Sequence, residues 1–426
     1  MKSLGQEIYD LANRLFPINR SLTGNGVRET LNILKEINPE MVINEVPSGT
    51  KVFDWTVPKE WDMQEGYIED ESGMRILDYS NNNLCILGYS ISVNEWVTLE
   101  ELKTHIYVEN NQPNAIPYVT SYYKERYGFC MTKEQRDSLP SGKYHMVIKS
   151  DLKEGFLTYG EIKIKGKTDK EILLSTYVCH PSMANNELSG PCVSTYLVKW
   201  IKSLEKRKYS YRILFLPETI GSITYLSRHL KEMKENIIAG FVLSCVGDDR
   251  TYSYIPSING DTLADRVAKN VLSFHYPKYI KYTFKDRGSD ERQYNSPGVE
   301  LPVCVICRTK FGEFEEYHTS LDDMSLISPE GLQGSYEVLK KIINAMEENE
   351  KYRVNCCCEP QLGKRGLYPT ISQKSTYNDV KSMMDFIAYA NGERDLIEIS
   401  NLIGVPVDEL IQIARKLFEN ELLDIM

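Results

Sequence analysis

Long apolar runs are missing from this 426-residue sequence: none approaches the roughly 20 residues that a helix needs to cross a bilayer, so no membrane partner is expected. The opening residues, Met1-Lys-Ser-Leu-Gly-Gln-Glu-Ile-Tyr-Asp10, also lack the basic stretch and apolar block of a secretory signal, and the expected location is cytoplasmic. A basic excess is absent too. With 50 Lys and Arg against 60 Asp and Glu, the formal charge is −10, which disfavours a nucleic-acid partner because phosphates are neutralised by cationic side chains. Cysteines are present, ten of them, but Cys304-Val-Ile-Cys307 has no second pair at zinc-ribbon distance. It lies in an apolar strand pattern, where residues three apart point to opposite faces. Cys179, Cys192 and Cys245 read as buried small hydrophobes, and Cys356-Cys-Cys358 as an exposed, redox-sensitive loop after a helix. No disulfide framework is needed in a soluble chain of this size.

What is there divides by pattern. Helical spacing of Ile8, Leu11, Ala12, Leu15 and Phe16, then of Val27, Thr30, Leu31 and Leu34, predicts two opening helices. Short strands and turns follow, in Trp55–Pro58, Tyr67–Gly73, Cys85–Ser92, Tyr118–Tyr123, Tyr144–Lys149 and Leu157–Ile164. From Ile172 onward, strands alternate with helices at Pro191–Lys206, Ser222–Lys234, Asp261–Phe274 and Pro329–Glu347, the signature of a mainly parallel sheet with helices on both faces. The expected architecture is an α/β domain formed by residues 1–45 and 155–350, a β-rich insertion at 46–154 and a small helical domain at 360–426. The last of these reads as a winged helix: Val380–Ala390, an Asn391-Gly392 turn, Leu396–Leu402, a Gly404-Val-Pro406 break, then Asp408–Asn420. From Tyr377 to Met426, four Lys and Arg face ten Asp and Glu, so a protein contact or a homo-oligomer interface is expected of it rather than DNA binding.

Chemistry concentrates at predicted strand ends, where open α/β sheets keep their sites. Ile172–Val178 runs into Cys179-His180-Pro181, Tyr211–Pro217 into Glu218, Ile238–Gly247 into Asp248 and Asp249, and Leu301–Cys307 leads towards His318. The chain has only six histidines, and two of them fall in these dense polar segments. A lone histidine after a strand is most often a hydrogen-bonded loop residue. Two of them, converging with carboxylates on one sheet edge, form the imidazole and carboxylate set that catalytic zinc takes.

These segments resemble those of the zinc aminopeptidase family that includes bacterial aminopeptidases, glutamate carboxypeptidase and glutaminyl cyclase. The likeness covers roughly residues 1–45 and 155–350. It is carried by His180, Ala184-Asn-Asn-Glu-Leu-Ser-Gly190, Pro217-Glu218, Ser244 to Asp249 and Tyr317-His318-Thr319 with Asp322-Asp323. Cys179-His-Pro-Ser-Met183, Pro217-Glu-Thr-Ile-Gly-Ser222, Arg287-Gly-Ser-Asp-Glu-Arg-Gln293 and Glu316-Tyr-His-Thr319 are similar to a bacterial subgroup, the aminopeptidase-like-domain proteins found with surface-polysaccharide genes. The resemblance implies a metal set of His180, Asn186 in the bridging position, Glu218, Asp248 bending back past Ser244, and His318. It implies catalytic roles for Glu218 and Glu187, with Tyr317 or Arg287 stabilising an oxyanion. Asn186 stands where the family has its metal-bridging Asp, and a neutral carboxamide cannot hold two cations together, so one zinc per chain on His180, Glu218 and His318 is the economical reconstruction. Two functions follow as expectations: a zinc-dependent peptidase acting on a peptide or amino-acid amide, or a catalytically degenerate scaffold that binds or assembles in polysaccharide biosynthesis.

Overall fold

Ser3 opens the first helix, Leu4–Leu15, by accepting a hydrogen bond from the Gln6 amide at 3.2 Å, and Ile8, Leu11, Ala12 and Leu15 bury its apolar stripe. The second helix, Asn25–Ile37, buries Val27, Thr30, Leu31 and Leu34 in the same way. The computed structural model describes residues 2–368 and 374–426, with the side chains of residues 374–379 outside it.

The first helix packs on the helices Ser189–Ser203 and Pro329–Glu347, and the second packs on the strand Phe156–Ile164 of the eight-stranded sheet that those helices cover. Its order is Val42–Pro47, Phe156–Ile164, Ser210–Leu216, Glu171–Tyr177, Ile237–Leu243, Val303–Cys307, Ser253–Ile255 and Ile280–Lys281. The four strands from Ser210–Leu216 to Val303–Cys307 run parallel, and antiparallel pairings flank them. These four are buried almost without interruption, because helices cover both faces. Ile172 and Leu174 face a core shared with Ile8, Leu31, Val198 and Leu339. Leu173, Leu214 and Val242 face the opposite core, with Ile223 and Leu226. Cys304 and Cys307 enter opposite cores, as the strand period requires.

The insertion carries its own four-stranded antiparallel sheet, in the order Arg75–Asp78, Glu60–Asp70, Lys143–Lys153, Val93–Thr98. Two of the expected strands are not strands. Cys85–Ser92 and Tyr118–Tyr123 form loops joined by single bridges, Gly88 to Thr120 and Ser90 to Arg126, and Pro117 has no N–H to extend a ladder. That loop instead reaches the segment His318–Ser320 of the α/β domain through an isolated bridge, Pro117 to Thr319. Tyr118 N donates to His318 O at 2.9 Å, Ser320 N to Ile116 O at 2.8 Å, and Ile116 N to Ser320 Oγ at 3.0 Å.

The C-terminal domain has the winged-helix plan: helices Lys374–Tyr389, Leu396–Ile403 and Val407–Glu419 with a sheet ordered Asn391–Asp395, Lys351–Val354, Leu423–Ile425. Its first strand precedes the expected start at residue 360, and residues 369–373 of the expected range lie outside the described residues. Leu396, Leu410, Ala414 and Leu417 share one core with Val271, Leu339 and Ile342. The ten cysteines are free, with Cys356, Cys357 and Cys358 exposed. Among the described residues, no helix is long and apolar enough to cross a membrane.

Candidate active site

The carboxyl ends of the parallel strands deliver four side chains to one place. Glu171–Tyr177 leads to His180, Ser210–Leu216 to Glu218, Ile237–Leu243 to Ser244, and the segment after Val303–Cys307 returns to His318. Three residues there have positive φ without being glycine: Thr219 at 62°, Cys245 at 52° and His318 at 57°. Each such residue costs about 1–3 kcal/mol unless its surroundings hold it, and strain of this kind collects at functional sites. Gly190 lets the helix Ser189–Ser203 come close enough to present the preceding turn. A Cβ there would sit 2.3 Å from Thr176 Oγ1 and 2.4 Å from Leu243 O. That turn, Ala184–Leu188, is a π-helical segment whose amides are held by Asp322: Asn185 N donates to its Oδ1 at 2.6 Å and Asn186 N to its Oδ2 at 2.9 Å.

His180 is the centre of the arrangement. Its Nδ1 lies 2.9 Å from Glu187 Oε2, and its Nε2 lies 3.7 Å from Glu218 Oε2. The His318 ring is 5.4 Å away, centroid to centroid, and the Tyr118 ring packs 5.2 Å from His180 and 5.3 Å from His318. Burial lowers the pKa of both imidazoles to about 3, helped at His180 by Arg20 and at His318 by His180. Glu187 would ordinarily draw a second proton onto His180. Arg20, fully buried with its Nε 3.5 Å from Glu187 Oε1, offsets that charge and also donates to His180 O at 2.9 Å. Burial raises the Glu187 carboxyl to about 8 against the lowering effect of Arg20. A carboxylate behind the ring that fixes the tautomer and turns the far nitrogen to the cleft is the usual support of a metal-binding histidine.

Glu218 is the carboxylate that faces the cavity. Burial first, and then the neighbouring Asp290, raise its pKa, and burial likewise raises Asp290. The cavity is about 180 Å³, lined by His180, Glu218, Thr219 and Cys179 on the polar side and by Trp55, Tyr122 and Tyr123 from the insertion on the other. Tyr317 stacks on His318 with ring centroids 3.9 Å apart.

Other sequence-nominated residues are placed elsewhere or differently. Asp248 is buried with both oxygens engaged, by Asn185 Nδ2 at 3.0 Å, Thr309 N at 2.9 Å, Thr309 Oγ1 at 2.8 Å and Arg250 N at 2.9 Å. Arg287 is exposed over the Phe284 ring, donates to Phe284 O and does not line the cavity. Glu187 stands behind His180, away from the cavity wall. Asn186 is locked in a neutral network: Tyr177 OH donates to its Oδ1 at 2.9 Å and lies 2.5 Å from Ser244 Oγ. Sequence reasoning did not nominate Arg20, Tyr118 or Asp290. Asp290 sits inside the quoted Arg287–Gln293 motif, and Arg20 in the polar stretch between the opening helices; Tyr118 carried no signal beyond an aromatic strand pattern.

The family model described as a domain of unknown function (DUF4910) matches residues 9–349, and a winged helix-turn-helix model matches residues 350–425. A Clostridium acetobutylicum protein named "Putative polysaccharide biosynthesis protein with aminopeptidase-like domain" is 44% identical over 424 residues, covering 99% of this chain and 97% of that one. A crystal structure of a "putative peptidase" from the same organism superposes with a TM-score of 0.94 at 42% identity, covering 99% and 96% of the two chains. The zinc aminopeptidase of Bacillus subtilis shares the fold at a TM-score of 0.58 and 13% identity, covering 81% of this chain and 96% of that one. An M28 peptidase precursor from Shewanella amazonensis does so at 0.57 and 14%, covering 81% and 93%. The chain thus belongs to the DUF4910 family, an aminopeptidase-like domain joined here to a winged helix-turn-helix domain.

Proposed function

We propose that this protein is a zinc-dependent hydrolase of amide bonds, acting on a peptide or amino-acid amide with about one zinc per chain on His180, Glu218 and His318. The observation that carries the reading is the approach of His180 Nε2 to 3.7 Å from Glu218 Oε2 beside a second neutral imidazole, His318. Two imidazoles and a carboxylate are the donor types that ion takes. His180 and Glu218 already approach, and His318 would have to close in to complete the set. Among the described residues, the three ligand atoms that lie within 4.8 Å of one another are those of Cys179, His180 and Glu187. When bound, the ion polarises the amide carbonyl and lowers the pKa of water. The chain's own residues do the remaining work. Glu187 and Arg20 hold the His180 tautomer, Tyr118 covers both imidazoles, and Trp55, Tyr122 and Tyr123 restrict the cavity to a single small group. Because Glu187 is shut off behind His180, Glu218 is the carboxylate available to substrate and solvent.

Elemental analysis together with hydrolysis of chromogenic amino-acid amides tests this. About one zinc per chain, with turnover removed by a chelator and restored by zinc, is the expected result; a zinc-replete chain inert towards amides favours a second reading. In that reading an aminopeptidase-like scaffold binds rather than cleaves, in line with the polysaccharide-biosynthesis name of the Clostridium relative. The neutral Tyr177–Asn186–Ser244 network favours it, as do Trp55 and Tyr123, 42% and 58% exposed at the cavity mouth and able to stack on a sugar ring.

A further inference from the structure

Two sequence motifs meet at one strained turn. Directly after the strand Ser210–Leu216, Glu218-Thr219-Ile220 forms a γ-turn of the rare positive-φ kind: Thr219 has φ 62° and ψ −75°, and Ile220 N donates to Glu218 O at 2.7 Å. For a β-branched residue this backbone is an outlier that needs external support. The support comes from the segment Ser289–Arg292. Thr219 N donates to Asp290 Oδ1 at 2.8 Å, and Ser222 Oγ, whose one hydrogen is shared between Asp290 Oδ1 at 2.8 Å and Thr219 O at 2.9 Å, lies against the same oxygen. On the outer side, Arg292 Nη2 donates to Thr219 Oγ1 at 3.1 Å. Asp290 is fully buried, and Glu291 fixes its approach by accepting from Gly288 N at 2.7 Å and Ser289 N at 3.2 Å.

We propose that Asp290 is a positioning residue: it clamps the Glu218-Thr219-Ile220 turn in its strained form and thereby aims the Glu218 carboxylate at His180. Both hydrogen bonds land on one oxygen, so the clamp needs an acceptor at that place and not a charge. The strain has a directional consequence. A relaxed turn at Thr219 rotates the peptide that carries Glu218, and the 3.7 Å approach to His180 Nε2 is lost. The functional weight of this clamp rests on the metal-hydrolase reading, whereas the clamp itself does not.

Hydrogen exchange of the segment 217–223 and zinc affinity, both measured on the full chain, test it. In Asp290→Ala the segment should exchange at least about tenfold faster and zinc affinity should fall about 10- to 100-fold, the usual effect of removing a support behind a ligand. Asp290→Asn keeps the oxygen and should stay within about threefold of the native chain on both measures. Thr219→Gly takes the same backbone without strain, so the double variant Thr219→Gly, Asp290→Ala should recover most of the affinity lost in Asp290→Ala. It also serves where Asp290→Ala alone does not fold. Unchanged exchange in Asp290→Ala, an Asn variant as impaired as the Ala variant, or faster exchange with unaltered zinc affinity each overturns the assignment. A native chain that binds no zinc defeats the hydrolase reading instead, and the exchange comparison of the three variants still decides the clamp.

Discussion

Two polar clusters stand side by side at the carboxyl ends of the central strands, and they are built on opposite principles. Around His180 every partner is ionisable: Glu187, Arg20, Glu218 and, one layer out, Asp290. Several of their atoms, Arg20 Nη2, Glu187 Oε1 and Asp290 Oδ2, lack a hydrogen-bond partner. Around the Asn186 carboxamide the side-chain partners are uncharged, although its backbone amide donates to Asp322. Tyr177, Ser244 and Cys245 close on it, and burial holds the Tyr177 phenol firmly protonated. Unsatisfied buried charge is tolerated where something else completes the site, and a saturated neutral network leaves nothing to complete. The difference teaches that the proposed single-cation site keeps ionisable side chains facing a cavity, whereas the neighbouring position is filled by uncharged side chains of the chain itself.

The comparison breaks most decisively at the histidines. His180→Ala and His318→Ala should each lower zinc affinity by at least about 100-fold and abolish amide turnover, since each removes a proposed ligand. Both should remain folded, which circular dichroism checks; a variant that keeps its full zinc content would move the metal elsewhere. Glu218→Gln should lower zinc content as well, marking it a ligand, and zinc retained without turnover would make it the proton acceptor instead.

Asn186→Asp tests the neutral side. A carboxylate beside Tyr177 and Ser244 is buried without a cation, and the metal-free variant should lose about 3 kcal/mol of stability in denaturant titrations. Excess zinc should return that stability and raise the metal content towards about two per chain. Stability lost and not returned by zinc would show that the neutral network had closed the position sterically as well as electrically.

A smaller effect follows from proton linkage. The two buried imidazoles have folded pKa values of about 3, below the unfolded value of 6.5, so the unfolded chain binds more protons between those limits. The contribution of these two histidines to the stability of the metal-free protein should therefore fall as the pH drops from 6.5 towards 3, by up to about 1.4 kcal/mol per pH unit for each. The buried carboxyls of Glu187, Glu218 and Asp290, whose pKa values are raised, contribute in the opposite direction. His318→Gln should remove one histidine's share of the slope measured by unfolding at a series of pH values. An unaltered slope would mean that the imidazole is already charged in the folded chain.

Much of this was legible in the sequence because it rests on local pattern. Ile8, Leu11, Ala12 and Leu15 announce the first helix, the unbroken apolar runs announce the parallel strands, and His180 and Glu218 stand where two of those runs stop, with His318 in the loop that follows a third. What the sequence hid depends on contacts between distant segments. Tyr118 covers the histidines only because its loop pairs with Thr319 and Ser320, about two hundred positions on, and the same pairing turns an apparent strand into a roof. Asp290 matters only because its chain position places an acceptor under Thr219, which no spacing rule encodes. Asp248 follows a strand as a ligand should, yet Thr309 and Asn185 occupy its oxygens.

The smallest effect on the site is expected from the farthest domain. The winged helix contributes no residue to the cavity, and its three helices join the core formed by Leu263–His275 and Pro329–Glu347 on one face of the sheet. The helix Val407–Glu419, second of the helix-turn-helix pair, buries Val407, Leu410, Ile411, Ala414 and Leu417. Of its cations, Arg415 is already paired with Glu348 at 2.6 Å. Asp395 and Glu398 pair with Arg266, and Asp408 lies 3.2 Å from His275, so these three acidic side chains tie the domain to the α/β domain. Over residues 350–426 nine Lys and Arg stand against twelve Asp and Glu, so the domain has no net positive charge, and binding to ordinary duplex DNA should be weaker than about 10⁻⁴ M even at low salt, where counterion release favours it most. Removing residues 355–426 should leave zinc content unchanged while uncovering Val271, Leu339 and Ile342, so that the truncated chain self-associates in light scattering. A salt-sensitive gel shift with the full chain would show that the domain binds DNA, and a truncated chain that stays monodisperse would show that covering Val271, Leu339 and Ile342 is not what the helices are for.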